Sequence, residues 1–266
     1  MRIAIVSDIH GNRTAFEAVL ADLRDSSPDL ILHGGDLADN GSSPVEIIDQ
    51  IRDLGWQGVV GNTDQMLFSP ATLAEFASQS PQLKTLFATI EEMAAHTRAA
   101  LGDDRLHYLR SLPTIQIRGP LALVHASPPS PWRAPAHTAG DDELESVYAP
   151  LGQPVNVYGH IHYSFVRNTA KPAKGAAAPS VQLSDNAAAL RFAGSSLKRI
   201  VANSGSVSLS YDGDPRASYL LLHESTPTIR RVEYSVDKEL KALSQCGLPH
   251  ADWIAKILST ASPQMP

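Results

Sequence analysis

The chain has a single cysteine, Cys246, among 266 residues, so it can form no internal disulfide and carries no cysteine-based zinc motif. Both absences predict a reducing, cytoplasmic setting. Long apolar runs are missing as well. After Met1 and Arg2 the run Ile3-Ala4-Ile5-Val6 stops at Ser7-Asp8, short of the roughly 7 to 15 residues of a signal-peptide core. No other stretch approaches the ~20 apolar residues of a membrane span. Basic excess is also lacking: 22 Lys and Arg stand against 28 Asp and Glu, a formal net charge of -6. That balance exerts no general pull on nucleic acid or an anionic membrane, which leaves small molecules as the expected partners. No solenoid-period repeat is present.

What remains has the composition of an ordinary globular domain, 43% hydrophobic and 19% charged. The first sixty residues alternate short apolar runs with amphipathic segments, at Arg2–Ser7, Asn12–Arg24, Leu30–His33, Pro44–Leu54 and Gln57–Val60. Runs of four or five apolar residues, each ended by Gly or Asp, suit strands buried on both faces, so this reads as β-α-β-α-β. From Gln65 to Leu112 the period becomes helical, with Leu83, Phe87, Ile90, Met93 and Ala94 on one stripe. We read residues 65–112 as a helical insertion whose stripe packs into core in preference to capping a substrate. Strand-like runs return at Thr114–Ile117, Leu121–His125 and Val155–Tyr158. Those at Leu197–Ala202, Ser218–His223 and Ile229–Tyr234 look like a second sheet, followed by amphipathic helix. The tract Lys-Pro-Ala-Lys-Gly-Ala-Ala-Ala-Pro-Ser lacks periodicity and predicts a flexible Ala/Pro-rich surface loop over 168–190. One domain over 1–266 holds all of this.

Polar residues crowd the strand ends, where ligands of an open α/β sheet bind. Asp8-Ile9-His10 closes the first strand, and extended alternation would put Asp8 and His10 on one face. Gly34-Gly35-Asp36 closes the second, Gly61-Asn62-Thr63-Asp64 the third, and His125 and Gly159-His160-Ile161-His162 follow later strands. A carboxylate can bridge two cations, and an amide oxygen can serve as a neutral ligand. Each piece alone is ordinary turn chemistry. Five successive strand ends that each deliver Asp, His or Asn are not.

This series resembles the calcineurin-like metallophosphoesterase superfamily. Ser7-Asp8-Ile9-His10-Gly11-Asn12, Asn203-Ser204-Gly205-Ser206-Val207 and Asp212-Gly213-Asp214-Pro215-Arg216-Ala217-Ser218-Tyr219 are similar to its small bacterial and archaeal phosphodiesterase branch. The resemblance implies an α/β fold, a four-layer αββα sandwich of two mixed sheets flanked by helices. It implies that Asp8, His10 and His162 hold one metal, that Asn62, His125 and His160 hold a second, and that Asp36 bridges them. Two divalent transition-metal ions follow, manganese first, with iron, zinc or nickel as alternatives; the imidazole and carboxylate mixture agrees. The implied reaction is phosphodiester or phosphomonoester hydrolysis, with hydroxide held between two cations attacking phosphorus in line. The expected substrate is a small phosphoester, nucleotide-derived substrates included, and a homo-oligomer is compatible.

The family's catalytic His after Gly-Asn is Thr63 here. A threonine hydroxyl is a poor general acid, so about a 10²- to 10⁴-fold contribution is expected to be missing, with Asn62 ligating and orienting. His33 is either a substitute acid or a structural neighbour of the ligands, and we favour the latter. Asn12 either caps a helix or lends backbone N–H groups to a phosphate. Arg133, on the loop Ala126–Arg133, either contacts a substrate phosphate or is an exposed residue of a proline-stiffened rim. The branch shows Ser-Pro-Arg where this chain has Ser127-Pro128-Pro129, and it carries proline after Asn where this chain has Ser204. The alternative from another class is a non-catalytic metal-binding scaffold of the same fold; such proteins lose ligands, and here all seven positions keep coordinating side chains.

Overall fold

The computed structural model describes residues 1–169 and 199–266. The chain begins β1 (Arg2–Val6), α1 (Arg13–Ser26), β2 (Leu30–His33), α2 (Pro44–Asp53) and β3 (Gln57–Gly58). Helices α3 (Asn62–Phe68), α4 (Ala71–Ser78) and α5 (Lys84–Ser111) follow, then β4 (Ile115–Arg118), β5 (Leu121–Val124), α6 (Asp141–Tyr148), β6 (Val155–Tyr158) and β7 (Phe165–Thr169). The remainder is β8 (Arg199–Asn203), β9 (Ala217–His223), β10 (Thr226–Val232), α7 (Val236–Leu243) and α8 (Ala251–Thr260).

Period-two alternation divides the strand residues between layers. Ile3 and Ile5 of β1 meet Leu121, Leu123, Val155 and Val157 in a core between two sheets, while Ala4 and Val6 turn outward onto Phe16, Val19, Ile47 and Ile51 of the helices. On the far side Val124, Tyr158 and Val201 pack against Leu144 and Tyr148 of α6. Helix, sheet, sheet and helix make four layers, the architecture the resemblance implied. Each fully buried Ile or Leu contributes roughly 1.5–3 kcal/mol, so the layers that hold most of them set the frame for the site.

One sheet has the order β10-β9-β1-β2-β3 and the other β4-β5-β6-β8-β7. The expectation that the last three strands form the second sheet holds only for β8. Strand β9 pairs antiparallel with β1, Ile3 opposite Leu222, and β10 pairs with β9. Leu220 and Leu222 supply the inter-sheet core and Ala217 and Tyr219 the helix side, a pleat that matches β1. Residues 204–216 therefore cross from one sheet to the other. Strand β7 and helix α6 had no counterpart in the sequence reading.

The stretch 65–112 holds most of α3 and all of α4 and α5, with α5 itself broken at Gly102, where φ is +67°. Phe87, Ile90 and Ala94 pack on the core around α1 and α2, and Met93 joins Leu243 and Ile257 of the C-terminal helices. Asn168 and Thr169 of the expected loop 168–190 close β7, and its other residues lie outside the described ones.

Candidate metal centre

The parallel strands β1, β2 and β3 of one sheet and β5 and β6 of the other end at the same edge. The loops beyond them touch. A Cβ on Gly35, whose φ is +87°, would lie 2.5 Å from Gly61 N, and one on Gly159 would lie 2.2 Å from Ser7 Oγ. Only glycine permits these approaches, and they bring the seven residues together.

Asp8, His10 and His162 form one group able to hold a cation, and Asp36, His125 and His160 form another. Extended alternation is not what aligns them. Asp8, His10, Asp36, His160 and His162 have φ of 56°, 46°, 54°, 66° and 58°, the left-handed region, which costs of order 1 kcal/mol or more per residue. Asp and His tolerate that region better than most residues. Strand β1 ends at Val6, and a left-handed turn, rather than a pleat, aims Asp8 and His10 inward.

The contacts at the centre are dense. His162 Nε2 lies 3.1 Å from Asp8 Oδ1 and 3.3 Å from His10 Nε2. Asp36 Oδ2 lies 3.7 Å from His10 Nε2 and 3.4 Å from His125 Nε2, between the two groups. Its other oxygen accepts from the Thr63 N–H at 2.9 Å. Asn62 Oδ1 is 3.0 Å from His125 Nε2 and 2.8 Å from His160 Nδ1. Thus all seven predicted ligand side chains converge.

Three of the imidazoles donate from Nδ1 to backbone carbonyls: His10 to Asp39 at 3.0 Å, His125 to Gly34 at 2.8 Å and His162 to Leu209 at 2.6 Å. A carbonyl only accepts, so Nδ1 carries the hydrogen and a neutral ring turns an Nε2 lone pair inward. Lone pairs of His10 and His162 then face each other across 3.3 Å. Such an arrangement calls for a cation between them, and the donor set suits a borderline divalent metal.

Without a cation, His125 serves as the positive partner of the bridging candidate. Burial alone would raise Asp36, but the charge and hydrogen bond of His125 hold it well below the usual carboxylate range. Burial likewise opposes ionisation of Asp8, and His162 outweighs it. His125 is driven down by burial yet lifted to about 9 by Asp36. Burial depresses His10, and burial with His125 depresses His160 to about 4. Asp8, His10, Asp36, His125 and His162 are buried, whereas Asn62 and His160 are partly exposed.

Of the remaining sequence-predicted residues, Thr63 touches the cluster through its N–H to Asp36. Asn12 Oδ1 accepts from the Ala15 N–H at 2.9 Å as the cap of α1. Its own N–H donates to Ile9 O. Arg133 is exposed, donates to Gln79 Oε1 and lies 5.0 Å over the Phe76 ring, so it pins the rim loop to α4 and the residue after it. No hydrogen bond or ion pair among the described residues joins it to the seven. Thr63 is buried, with its hydroxyl covered and unpartnered. His33 is fully buried, and burial drives it to about 3; neither ring nitrogen has a partner. It is a neutral neighbour of the ligand loops rather than an acid.

Other supports were not singled out from sequence. Ser7 Oγ donates to Asp8 Oδ2 at 2.5 Å. Asp64 accepts from three backbone N–H groups, of Asp36, Leu37 and Gly61. Its place in Gly61-Asn62-Thr63-Asp64, three residues after the turn, was the available signal. The Leu209 carbonyl left none.

Comparison with known proteins agrees with this geometry. A sequence model described as calcineurin-like phosphoesterase matches residues 1–164, which include all seven. An uncharacterized protein of Methanocaldococcus jannaschii is 28% identical over 264 residues, covering 96% of each chain. A symmetrical bis(5'-nucleosyl)-tetraphosphatase of Methylococcus capsulatus is 31% identical over 152 residues, 56% of this chain and 51% of that protein. Among solved structures, a metallophosphoesterase from Sphaerobacter thermophilus superposes with a TM-score of 0.72 at 26% identity, covering 98% of this chain and 100% of that one. A hypothetical protein from Pyrococcus horikoshii OT3 shares the fold, with a TM-score of 0.75 at 16% identity and 99% coverage of both. The chain belongs to the calcineurin-like phosphoesterase family.

Proposed function

We propose that this protein hydrolyses small, nucleotide-derived phosphoesters at a dinuclear centre, with manganese as the first metal to test. The observation that carries the reading is the position of Asp36 Oδ2, 3.7 Å from an imidazole nitrogen of one group and 3.4 Å from one of the other. A single carboxylate between two such groups is suited to bridging. Asp8, His10 and His162 would hold one cation, and Asn62, His125 and His160 the other. When bound, two such cations activate water and neutralise phosphoryl oxygens.

The protein's own part is positional. Backbone carbonyls fix three imidazoles, and Thr63 N–H fixes Asp36. Asn62 and His160 are the partly exposed members, so a phosphoester approaches from the second group's side. Nucleotide chemistry is supported by the likeness to the bis(5'-nucleosyl)-tetraphosphatase. With Thr63 in place of a histidine and its hydroxyl covered, the site favours esters with good leaving groups. The single cysteine supports a cytoplasmic location.

The test is turnover of dinucleoside polyphosphates, mononucleotides, cyclic nucleotides and model diesters by manganese-loaded protein, beside Asp36→Asn. Metal- and Asp36-dependent turnover is expected. Metal binding without turnover on any of them would favour the scaffold reading.

A further inference from the structure

His162 is held at three points by one short segment of the sheet-to-sheet crossover. Its Nδ1–H donates to Leu209 O at 2.6 Å, its carbonyl oxygen accepts from the Tyr211 N–H at 3.2 Å, and the Tyr211 ring lies on its imidazole at 4.6 Å. A residue at φ +58° is not held by its own backbone preference, so the aim of Nε2 depends on that segment.

Two anchors secure the segment. On the near side Ser206 Oγ accepts from Ser208 and Leu209 N–H groups and donates to Asp8 O at 2.9 Å. On the far side Asp212 gathers four groups. Its Oδ1 accepts from Ser210 Oγ at 2.8 Å and the Asp214 N–H at 3.2 Å; its Oδ2 accepts from Ser164 Oγ at 3.3 Å and from the Arg231 guanidinium. Arg231 also donates to Ser164 Oγ at 2.5 Å. Ser164 lies two residues after His162, so the network ties both ends of the clamp together and to β10. The side chains of Arg231 and Asp212 are only 19% and 17% exposed, which separates the pair from solvated surface ion pairs of little consequence. Burial pushes the Asp212 carboxyl up, yet Arg231 and Ser210 hold it below its ordinary value.

We propose that Asp212 and Arg231 are positioning residues that fix the His162 imidazole and thereby set the metal affinity of the pocket formed by Asp8, His10 and His162, leaving the other pocket unaffected. The proposal rests on the dinuclear reading. Asp212 of the Asp212-Gly213-Asp214-Pro215-Arg216 stretch thereby acts on the site through His162.

Manganese binding by metal-stripped, full-length protein is measured by titration calorimetry in wild type, Arg231→Met, Asp212→Asn and Arg231→Lys. Arg230→Met is the control, because Arg230 lies on the same strand but pairs with Asp22 at 2.8 Å. Partners of metal-bound histidines are worth about 10- to 100-fold in affinity, so Arg231→Met and Asp212→Asn are expected to weaken one of two sites by about tenfold. Arg231→Lys should recover part of the loss, and Arg230→Met should change neither site. Exchange of the His162 Nδ1–H, followed by NMR in metal-free protein, should quicken in the first two variants. Unchanged affinities, or an equal loss in Arg230→Met, would overturn the proposal. Asp212→Asn preserves shape and carries the test if Arg231→Met fails to fold. Wild type that binds no manganese would overturn the dinuclear reading, and unchanged exchange would overturn the clamp separately.

Discussion

Replacing Asp64 by asparagine perturbs both metal pockets without touching a ligand side chain. Asp64 Oδ2 accepts from the Asp36 N–H at 2.8 Å and the Gly61 N–H at 3.1 Å, and Oδ1 accepts from the Leu37 N–H at 2.9 Å. These bonds join the loop carrying the bridging candidate to the loop carrying Asn62. Burial and the Asp36 charge push Asp64 up to about 7, so at pH 8 it is a carboxylate and accepts all three. In Asp64→Asn the amide oxygen serves two of them, and the NH₂ meets the third N–H donor to donor. Two buried donors are then left without partners, at about 1–3 kcal/mol each. We expect a loss of about 3 kcal/mol, or about 6–12 °C in melting temperature for a chain near this size. The assay is thermal unfolding at pH 8 in EDTA, paired with manganese titration, where both sites should weaken together. A change below about 1 kcal/mol, the value of one ordinary hydrogen bond, would refute this account of Asp64.

Thr63→His should raise turnover of a poor-leaving-group ester by about 10²- to 10⁴-fold while changing a good-leaving-group ester far less; equal rates in wild type and variant would contradict the proposal that Thr63 limits the reaction. The metal-free protein should also depend on pH through His125. Its folded value of about 9 lies above the ordinary 6.5, so its pairing with Asp36 stabilises fully below pH 6.5 and is lost as pH rises through about 9. Melting temperatures in EDTA should therefore fall more over that window in wild type than in His125→Ala, where only the buried carboxyls raised to about 7 still contribute, and parallel curves would contradict the assignment.

The candidate ligands were legible because six of the seven sit in a short local signal, Asp-x-His, Gly-Asp, Gly-Asn or Gly-His-x-His, and His125 directly follows the apolar run Leu121–Val124. How they converge was not. Alternation along an extended chain gives the right pairing of Asp8 with His10, yet both residues lie in left-handed turns that no apolar pattern announces. Strand β9 was recognisable, but its place beside β1 depends on a pairing across more than 200 residues, which leaves no local trace. The same holds for Leu209 and Tyr211, which grip His162 from 47 and 49 positions away. Strand β7, Phe165-Val-Arg-Asn-Thr169, carries three polar residues in five, and among the described residues its pairing with β8 is what marks it as a strand. Asn12 shows the opposite limit: its sequence position fitted two roles, and the structure shows one of them, its Oδ1 capping α1.

Dinuclear binding centred on Asp36 is tested most directly by anomalous diffraction from crystals of manganese-loaded protein. Two peaks about 3.5–4 Å apart are expected, one against Asp8, His10 and His162, the other against Asn62, His125 and His160, with Asp36 touching both. Asp36→Asn should lose at least one of them. A single peak, or none, in fully loaded wild-type crystals would contradict the dinuclear centre.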